Sequence, residues 1–263
     1  LELRRSRHEV VNQPIPEIAA EPVLKQPKDW TAELQQFIDS GDCEMTGVTP
    51  LETDWVFDHE ESTLPNIVML GVQHDYEELK HVPAIKGGKD VTRQYLRAAA
   101  AAKKVAAWLR EQGYQADAVT GPMTGKILMI PPAIACGFGE LGKHGSIINP
   151  EFGSAFRLSA VLTDAPFAST PRREFGVDDF CSRCRVCENA CPPEAIAPEK
   201  QLVRGVNKWY VDFDRVLLGP TSNQNAIPYL FVIQTAHKGL CAMDAVPLNS
   251  AATDRNFPNL DHL

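Results

Sequence analysis

Four cysteines crowd into eleven positions of this chain, in the run Phe180-Cys181-Ser182-Arg183-Cys184-Arg185-Val186-Cys187-Glu188-Asn189-Ala190-Cys191-Pro192. Read as C-x-x-C-x-x-C-x-x-x-C-P, the spacing lets three thiolates of a tight turn reach three corners of one iron-sulfur cubane, while the fourth points toward a neighbouring cluster. Proline after Cys191 turns the chain out of the site. Such clustering argues for metal rather than disulfides, and so for a reducing, cytoplasmic compartment. A structural zinc knot is the alternative, since the same sulfurs could serve it, although zinc sites usually separate two C-x-x-C halves by a longer loop. Of the seven cysteines, Cys43 and Cys136 sit in apolar surroundings and read as small buried hydrophobes. A second cluster would need another run, and beyond residue 191 the sequence has only Cys241, in Leu240-Cys241-Ala242-Met243-Asp244-Ala245-Val246-Pro247. Val216 and Val246 stand where two of the missing ligands would be expected. One 4Fe-4S cluster is expected, with Cys181, Cys184 and Cys187 at three corners, Cys241 or a non-protein ligand at the missing one, and Cys191 as the metal-ligating cysteine that points away; two clusters cannot be built from these cysteines.

The rest of the chain must supply a folded body for that turn. Its 263 residues are 44% hydrophobic and 23% charged, enough to bury a substantial core. A formal net charge of -8, with no basic run interleaved with aromatics, excludes nucleic acid as a partner. The longest apolar stretches, such as residues 226–233, fall far short of the roughly 20 residues needed to cross a bilayer. Arg4 and Arg5 read as solvated surface rather than an export signal, because residues 6–14 are polar.

Hydrophobic periodicity places the elements. Residues 1–29, rich in proline and charge, read as an extended arm. Residues 30–40 carry Leu34, Phe37 and Ile38 at helical spacing and stop at Gly41. Short strands are expected over 45–48 and 67–72. A long helix is expected over 91–112, where Tyr95, Ala98, Ala102, Val105, Ala106 and Leu109 share one face and Gly113 closes it. Residues 156–163 read as a strand, and 208–213 alternate like an exposed edge strand. The mixture indicates an α/β or α+β fold.

The order of several segments resembles the reductive dehalogenase family and its relatives, the epoxyqueuosine reductases, over roughly residues 30–215. They are Gly41-Asp-Cys-Glu-Met-Thr-Gly47, Asp54-Trp55-Val56, Gly137-Phe-Gly-Glu-Leu-Gly-Lys-His-Gly145, Asn149-Pro-Glu-Phe-Gly153, Arg157 with Thr163-Asp164, the cysteine run, and Lys208-Trp-Tyr-Val-Asp-Phe-Asp214. The stretch ending Gly-Glu-Leu-Gly-Lys favours the dehalogenase branch, and Thr120-Gly-Pro-Met123 lacks the acidic proton donor of the queuosine branch. The resemblance implies a nitroreductase-like α/β core over 30–170 that binds a corrinoid (cobalamin) with its lower base detached, and a ferredoxin-like iron-sulfur module over 171–263 whose tail diverges. No D-x-H-x-x-G run offers a histidine beneath cobalt, in keeping with that. No phosphate-loop or dinucleotide pattern assigns a nucleotide cofactor.

The activity implied is reductive removal of halide from an organohalide, with a lean toward aromatic substrates, by a Co(I) corrinoid fed through the cluster from a ferredoxin, flavodoxin or reductase. By resemblance, Tyr95 is the proton donor, with Lys126 and Arg157 holding it and stabilising negative charge. Gly137, Gly139, Gly142 and Gly145 would let backbone approach the macrocycle or its phosphate tail, and Glu140, Lys143 and His144 could face it. Plainer readings stand beside these: a core tyrosine, two surface cations and a tight structural turn. Two other functions compete. One is an epoxyqueuosine reductase-like enzyme. The other is an electron-transfer or corrinoid-binding homologue impaired by loss of the second cluster motif.

Overall fold

The computed structural model describes residues 2–82, 84–121, 125–191, 193–203, 205–212 and 214–215. Along the chain lie α1 (Glu2–Asn12), α2 (Pro27–Glu33), α3 (Gln35–Asp39), β1 (Met45–Pro50), a short 3-10 turn (Thr53–Trp55), β2 (Asn66–Gln73), α4 (Tyr76–Leu79) and α5 (Ile85–Glu111). They are followed by β3 (Ala116–Val119), α6 (Ile130–Ala135), β4 (Glu140–Leu141), β5 (Ile147–Ile148), β6 (Phe156–Thr163), α7 (Val177–Arg183), α8 (Val186–Asn189), β7 (Gln201–Val203) and β8 (Val206–Lys208). The fold is the expected mixture of helix and sheet. Its central sheet is antiparallel throughout, in the order β1-β2-β6-β3.

Both faces of that sheet are covered, which explains why β2 reads as a continuous apolar run rather than an alternating one. Val68, Leu70 and Val72 lie opposite Val161, Ser159 and Arg157. Directly opposed residues share a face. On this face α5 lays down Ala98, Ala101, Ala102, Val105, Ala106 and Leu109 against Val48, Val68, Leu70, Val72 and Val161. The alanines let the helix approach closely, and Trp30, Leu34 and Phe37 complete the core. The reverse face carries Ile67, Met69, Ala160 and Leu162, packed with Trp55, Ile127, Ala133 and Phe138. Gly113 ends α5 at φ +85, and a Cβ there would meet the Glu21 carbonyl oxygen at 2.6 Å. Glycine therefore serves both the left-handed turn and the close approach of the preceding segment.

Several expectations need correction. Residues 2–12 form a helix rather than an extended arm. Leu3, Arg7, Val10 and Val11 recur at helical spacing and are partly buried, and the helix packs along α5, so the order comes from a tertiary partner that composition does not reveal. The extended character holds only beyond residue 13, where Ala19 N and Val23 N donate to the carbonyls of Arg110 and Gln112. The helix expected over 30–40 is two short ones. Leu34 N turns back to Thr31 O, tightening the chain between them. Residues 209–212 do not continue the strand either: β8 ends at Lys208, because Trp209 and Val211 turn into the interior and Val211 has only an isolated bridge to Ile196; residue 213 lies outside the described residues. Among the described residues no helix is long and apolar enough to cross a membrane. Cys241, Val216 and Val246 lie outside the described residues.

Candidate functional site

Two constellations carry the chemistry expected of the chain. The first lies where α5 crosses the end of β6. Arg157, across from Val72, faces α5, and its guanidinium carbon stands 4.4 Å from the centre of the Tyr95 ring. A second guanidinium, from Arg7 of α1, stands 5.8 Å from the same centre. Apolar neighbours Leu79, Val82, Val91 and Ala155 pack around the ring. The Nε atoms of Arg7 and Arg157 are both buried without a hydrogen-bond partner. Burial pulls the Arg157 guanidinium below its ordinary pKa, against the opposing pull of Tyr95 and Asp90.

Asp90, one turn before Gln94 on α5, anchors the floor of this site. Its carboxylate is fully buried and accepts from Gln94 Nε2 at 2.8 Å, while its other oxygen lies 2.5 Å from His74 Nδ1. Burial alone would raise the Asp90 carboxyl, but the hydrogen bonds from His74 and Gln94 outweigh it and hold the group below the ordinary carboxylate value. Lys126 is directed elsewhere. Its amine lies 3.9 Å from Asp117 on edge strand β3, opposite Leu162 and five residues along β6 from Arg157. That separation is about 17 Å of strand. The structure thus joins Tyr95 and Arg157 and adds Arg7, which the sequence reading missed. The signal that could have found it is the spacing of Leu3, Arg7, Val10 and Val11.

The second constellation is the cysteine turn. Cys181 lies on α7, Cys184 ends that helix, Cys187 lies on α8 and Cys191 follows it. Burial, then the neighbouring Cys181 and Cys184 thiols, pushes Cys187 up to about 12. Cys181 is raised by the same burial, opposed by a hydrogen bond from the Lys143 backbone. Buried thiols such as Cys181 and Cys187 are costly to ionise without metal, and a bound cation displaces their protons. This donor set fits an iron-sulfur cluster. Cys191 packs beside Cys187 with Ala195, Ile196 and Val211, and its sulfur accepts from Ala195 N at 3.4 Å. Among the described residues no three His, Cys, Asp or Glu side chains converge on a single-ion site. Cys43 and Cys136 are buried in the two main cores, where desolvation pushes both up to about 12.

Residues 137–145 join the two parts. Glu140 Oε2 accepts from Phe175 N at 2.5 Å and Val177 N at 3.1 Å, fixing the entry to α7. Lys143 is 2% exposed, with its amine 3.5 Å from Glu188 and 4.8 Å from the centre of the Trp209 ring. His144 is bonded to Ser154 Oγ at 2.8 Å. A Cβ on Gly139 would meet the Ile148 carbonyl oxygen at 2.2 Å, and one on Gly142 would meet Ile148 Cδ1 at 2.6 Å. Gly137 and Gly145 take left-handed turn positions at φ +86 and φ +80. The space beside the two middle glycines is filled by the chain itself, and the charged residues have internal partners. Residues 137–145 form a joint between the cysteine turn and the core.

Comparison with known proteins bears on what such an arrangement does. No family model matches the chain. It is 34% identical over 168 residues to a tetrachloroethene reductive dehalogenase of Dehalobacter restrictus, covering 64% of this chain and 30% of that protein. With one from Desulfitobacterium hafniense it shares 31% identity over 195 residues, covering 70% of this chain and 35% of the relative. An epoxyqueuosine reductase of Synechococcus is 33% identical over 98 residues, 36% of this chain and 28% of that protein. The chain thus spans about a third of the length of the curated dehalogenases it matches. Among solved structures, a catabolic reductive dehalogenase superposes with a TM-score of 0.74 at 18% identity, covering 92% of this chain and 40% of the other. A second reductive dehalogenase, described as pointing to a B12-dependent mechanism, gives a TM-score of 0.72 at 19% identity, over 81% of this chain and 33% of that one. At those identities the two structures speak for the fold.

Proposed function

This chain is a member of the reductive dehalogenase family, and on that premise we propose that it belongs to an oxidoreductase that removes halide from an organohalide. Two electrons and one proton enter, the carbon-halogen bond breaks, a carbon-hydrogen bond forms and halide leaves. Cys181, Cys184 and Cys187 would hold an iron-sulfur cluster, with Cys191 or Cys241 as candidates for the remaining corner. A cluster supplies single electrons, and a corrinoid, implied by kinship, supplies the reducible metal centre that acts on the carbon-halogen bond.

What this chain's own residues do follows from the tyrosine site. The Tyr95 hydroxyl holds the proton that the carbon must gain. The guanidinium of Arg157, 4.4 Å from the ring centre, is positioned to meet the negative charge left on the phenolic oxygen. Leu79, Val82, Val91 and Ala155 pack beside the ring and lower the local dielectric on that side, which strengthens the pairing. The single observation that carries the proposal is this close, partly buried pairing of tyrosine and arginine in a chain of this family. Lys126 is left as an outlying candidate, held by Asp117.

The test is dehalogenation of a halogenated phenol by anaerobically reconstituted protein with a strong chemical reductant. Tyr95→Phe is expected to abolish turnover while metal and cobalamin content stay unchanged. Equal turnover by the variant removes Tyr95 from the reaction. A second reading, of an impaired electron carrier, has one observation in its favour: beyond residue 191 the sequence holds Cys241 alone. The same assay separates the two, since dehalogenation under chemical reduction would leave only electron delivery impaired.

A further inference from the structure

We propose that Lys143 and Glu188 set the reduction potential of the iron-sulfur cluster held by the cysteine turn, the buried ammonium of Lys143 favouring the reduced state and the carboxylate of Glu188 opposing it. The inference rests on the reading of Cys181, Cys184 and Cys187 as cluster ligands, and adds to it two residues that ligate nothing. Lys143 is tied to that turn at both ends. Its backbone N–H donates to the Cys181 thiol, and its amine stands 4.8 Å from the centre of the Trp209 ring, which packs in one apolar cluster with Cys181, Val177 and Ile148. The side chain is shut away from water, and the field of its ammonium reaches both Cys181 and Cys187.

The counter-ion of Lys143 answers its charge only in part. Glu188 Oε2 lies 3.5 Å from the amine, a long contact, and the other carboxylate oxygen accepts from Arg185 Nη2 at 2.5 Å. An ammonium carries three N–H donors, and among the described residues this one has no further hydrogen-bond acceptor. The other charges around the turn weigh less. Arg185, Asp178 and Lys200 are all more exposed, and the last two pair with one another at 2.6 Å. Solvent and salt screen such groups far more than a buried one. A buried cation with an incomplete partner is unfavourable, and a cluster beside it supplies the missing negative charge. Thiolate ligands make that assembly anionic, and one added electron makes it more so. A cation fixed alongside therefore stabilises the reduced form over the oxidised one and raises the potential, whereas a carboxylate lowers it. Net charge and hydrogen bonds to sulfur are levers by which a protein sets such potentials, and Lys143 supplies one of each. The step itself is the entry of one electron from a low-potential donor, with no bond made or broken in the chain.

The experiment uses the full chain, reconstituted anaerobically with iron and sulfide, as wild type, Lys143→Met and Glu188→Gln. Dithionite titration with redox mediators, followed by electron paramagnetic resonance of the reduced cluster, gives the one-electron midpoint potential of each. Iron and sulfide analysis checks that each carries the cluster. Lys143→Met, similar in length but uncharged, is expected to lower the potential by about 59 mV or more, a tenfold change in the one-electron equilibrium. Glu188→Gln is expected to raise it. Opposite shifts are the signature of charge, because a loosened turn has no reason to follow the sign of the group removed. Should Lys143→Met fail to hold iron, Glu188→Gln decides alone, a rise supporting the inference. A potential in iron-loaded Lys143→Met no lower than wild type, or in Glu188→Gln no higher, overturns the inference and leaves the cluster assignment standing. Wild-type protein that takes up no iron overturns both.

Discussion

Acidification should unfold this protein through one histidine in particular. His144 lies in the turn between β4 and β5, is 1% exposed, and burial pulls it down to about 4 from the ordinary 6.5. The cause is structural. Its Nδ1 accepts from Ser146 N at 3.0 Å, so the proton resides on Nε2, which faces Ser154 Oγ at 2.8 Å. Protonating Nδ1 would break the first of these bonds and place a charge in the joint. The folded value lies below the unfolded one, so between the two the unfolded chain binds more protons. Stability is full above 6.5 and is lost as pH falls from 6.5 toward 4. The whole window corresponds to about 3 kcal/mol, and about 2 kcal/mol is gone by about pH 5. Urea denaturation of wild type and His144→Gln at about pH 7.5 and about pH 5 measures it. The variant, whose amide can accept and donate but does not titrate, should lose about 2 kcal/mol less than wild type on acidification. Equal losses in the two proteins would refute the reasoning.

Glu140→Ala should destabilise the cysteine module by about 3–5 kcal/mol, because it strands two backbone donors, and Glu140→Gln by less; iron retention in chelator challenge reads both. Unchanged retention in the alanine variant would mean that α7 is held by other contacts. Gly139→Ala should cost about 1–3 kcal/mol or more in chemical denaturation, since its Cβ would meet backbone that cannot yield cheaply. Gly88→Ala, inside α5 with nothing within 4 Å, should gain up to about 1 kcal/mol by the same measurement.

Residues whose neighbours in sequence are also their neighbours in energy were legible. Strand β6 falls on 156–163 as its pattern predicts, and α5 closes at the glycine that its turn requires. Strand β2 extends one residue beyond its apolar run at each end, where Asn66 and Gln73 still pair across the sheet. Pairing of Tyr95 with Arg157 was expected from family resemblance, while the spacing between them in sequence says nothing of contact. Helix α1 was not legible because its stability comes from α5, which lies far along the chain. The glycine-rich loop read as a place for a ligand to approach, yet Gly139 and Gly142 are glycine because Ile148 occupies the space. Glycine content reports close approach and does not report what approaches. Lys143 and Glu140 show the same limit: sequence gives a charged side chain in a loop but not its partners, here Glu188 and the backbone of Phe175 and Val177.

Anaerobic reconstitution with iron and sulfide, read by metal analysis and visible absorption, tests the central claim most directly. Wild-type protein should take up iron with matching sulfide and show broad sulfur-to-iron charge-transfer absorption, and Cys184→Ser should lose most of both. Protein that takes up zinc in preference to iron, or iron uptake indifferent to that substitution, would contradict the assignment of the cysteine turn as the electron-carrying centre.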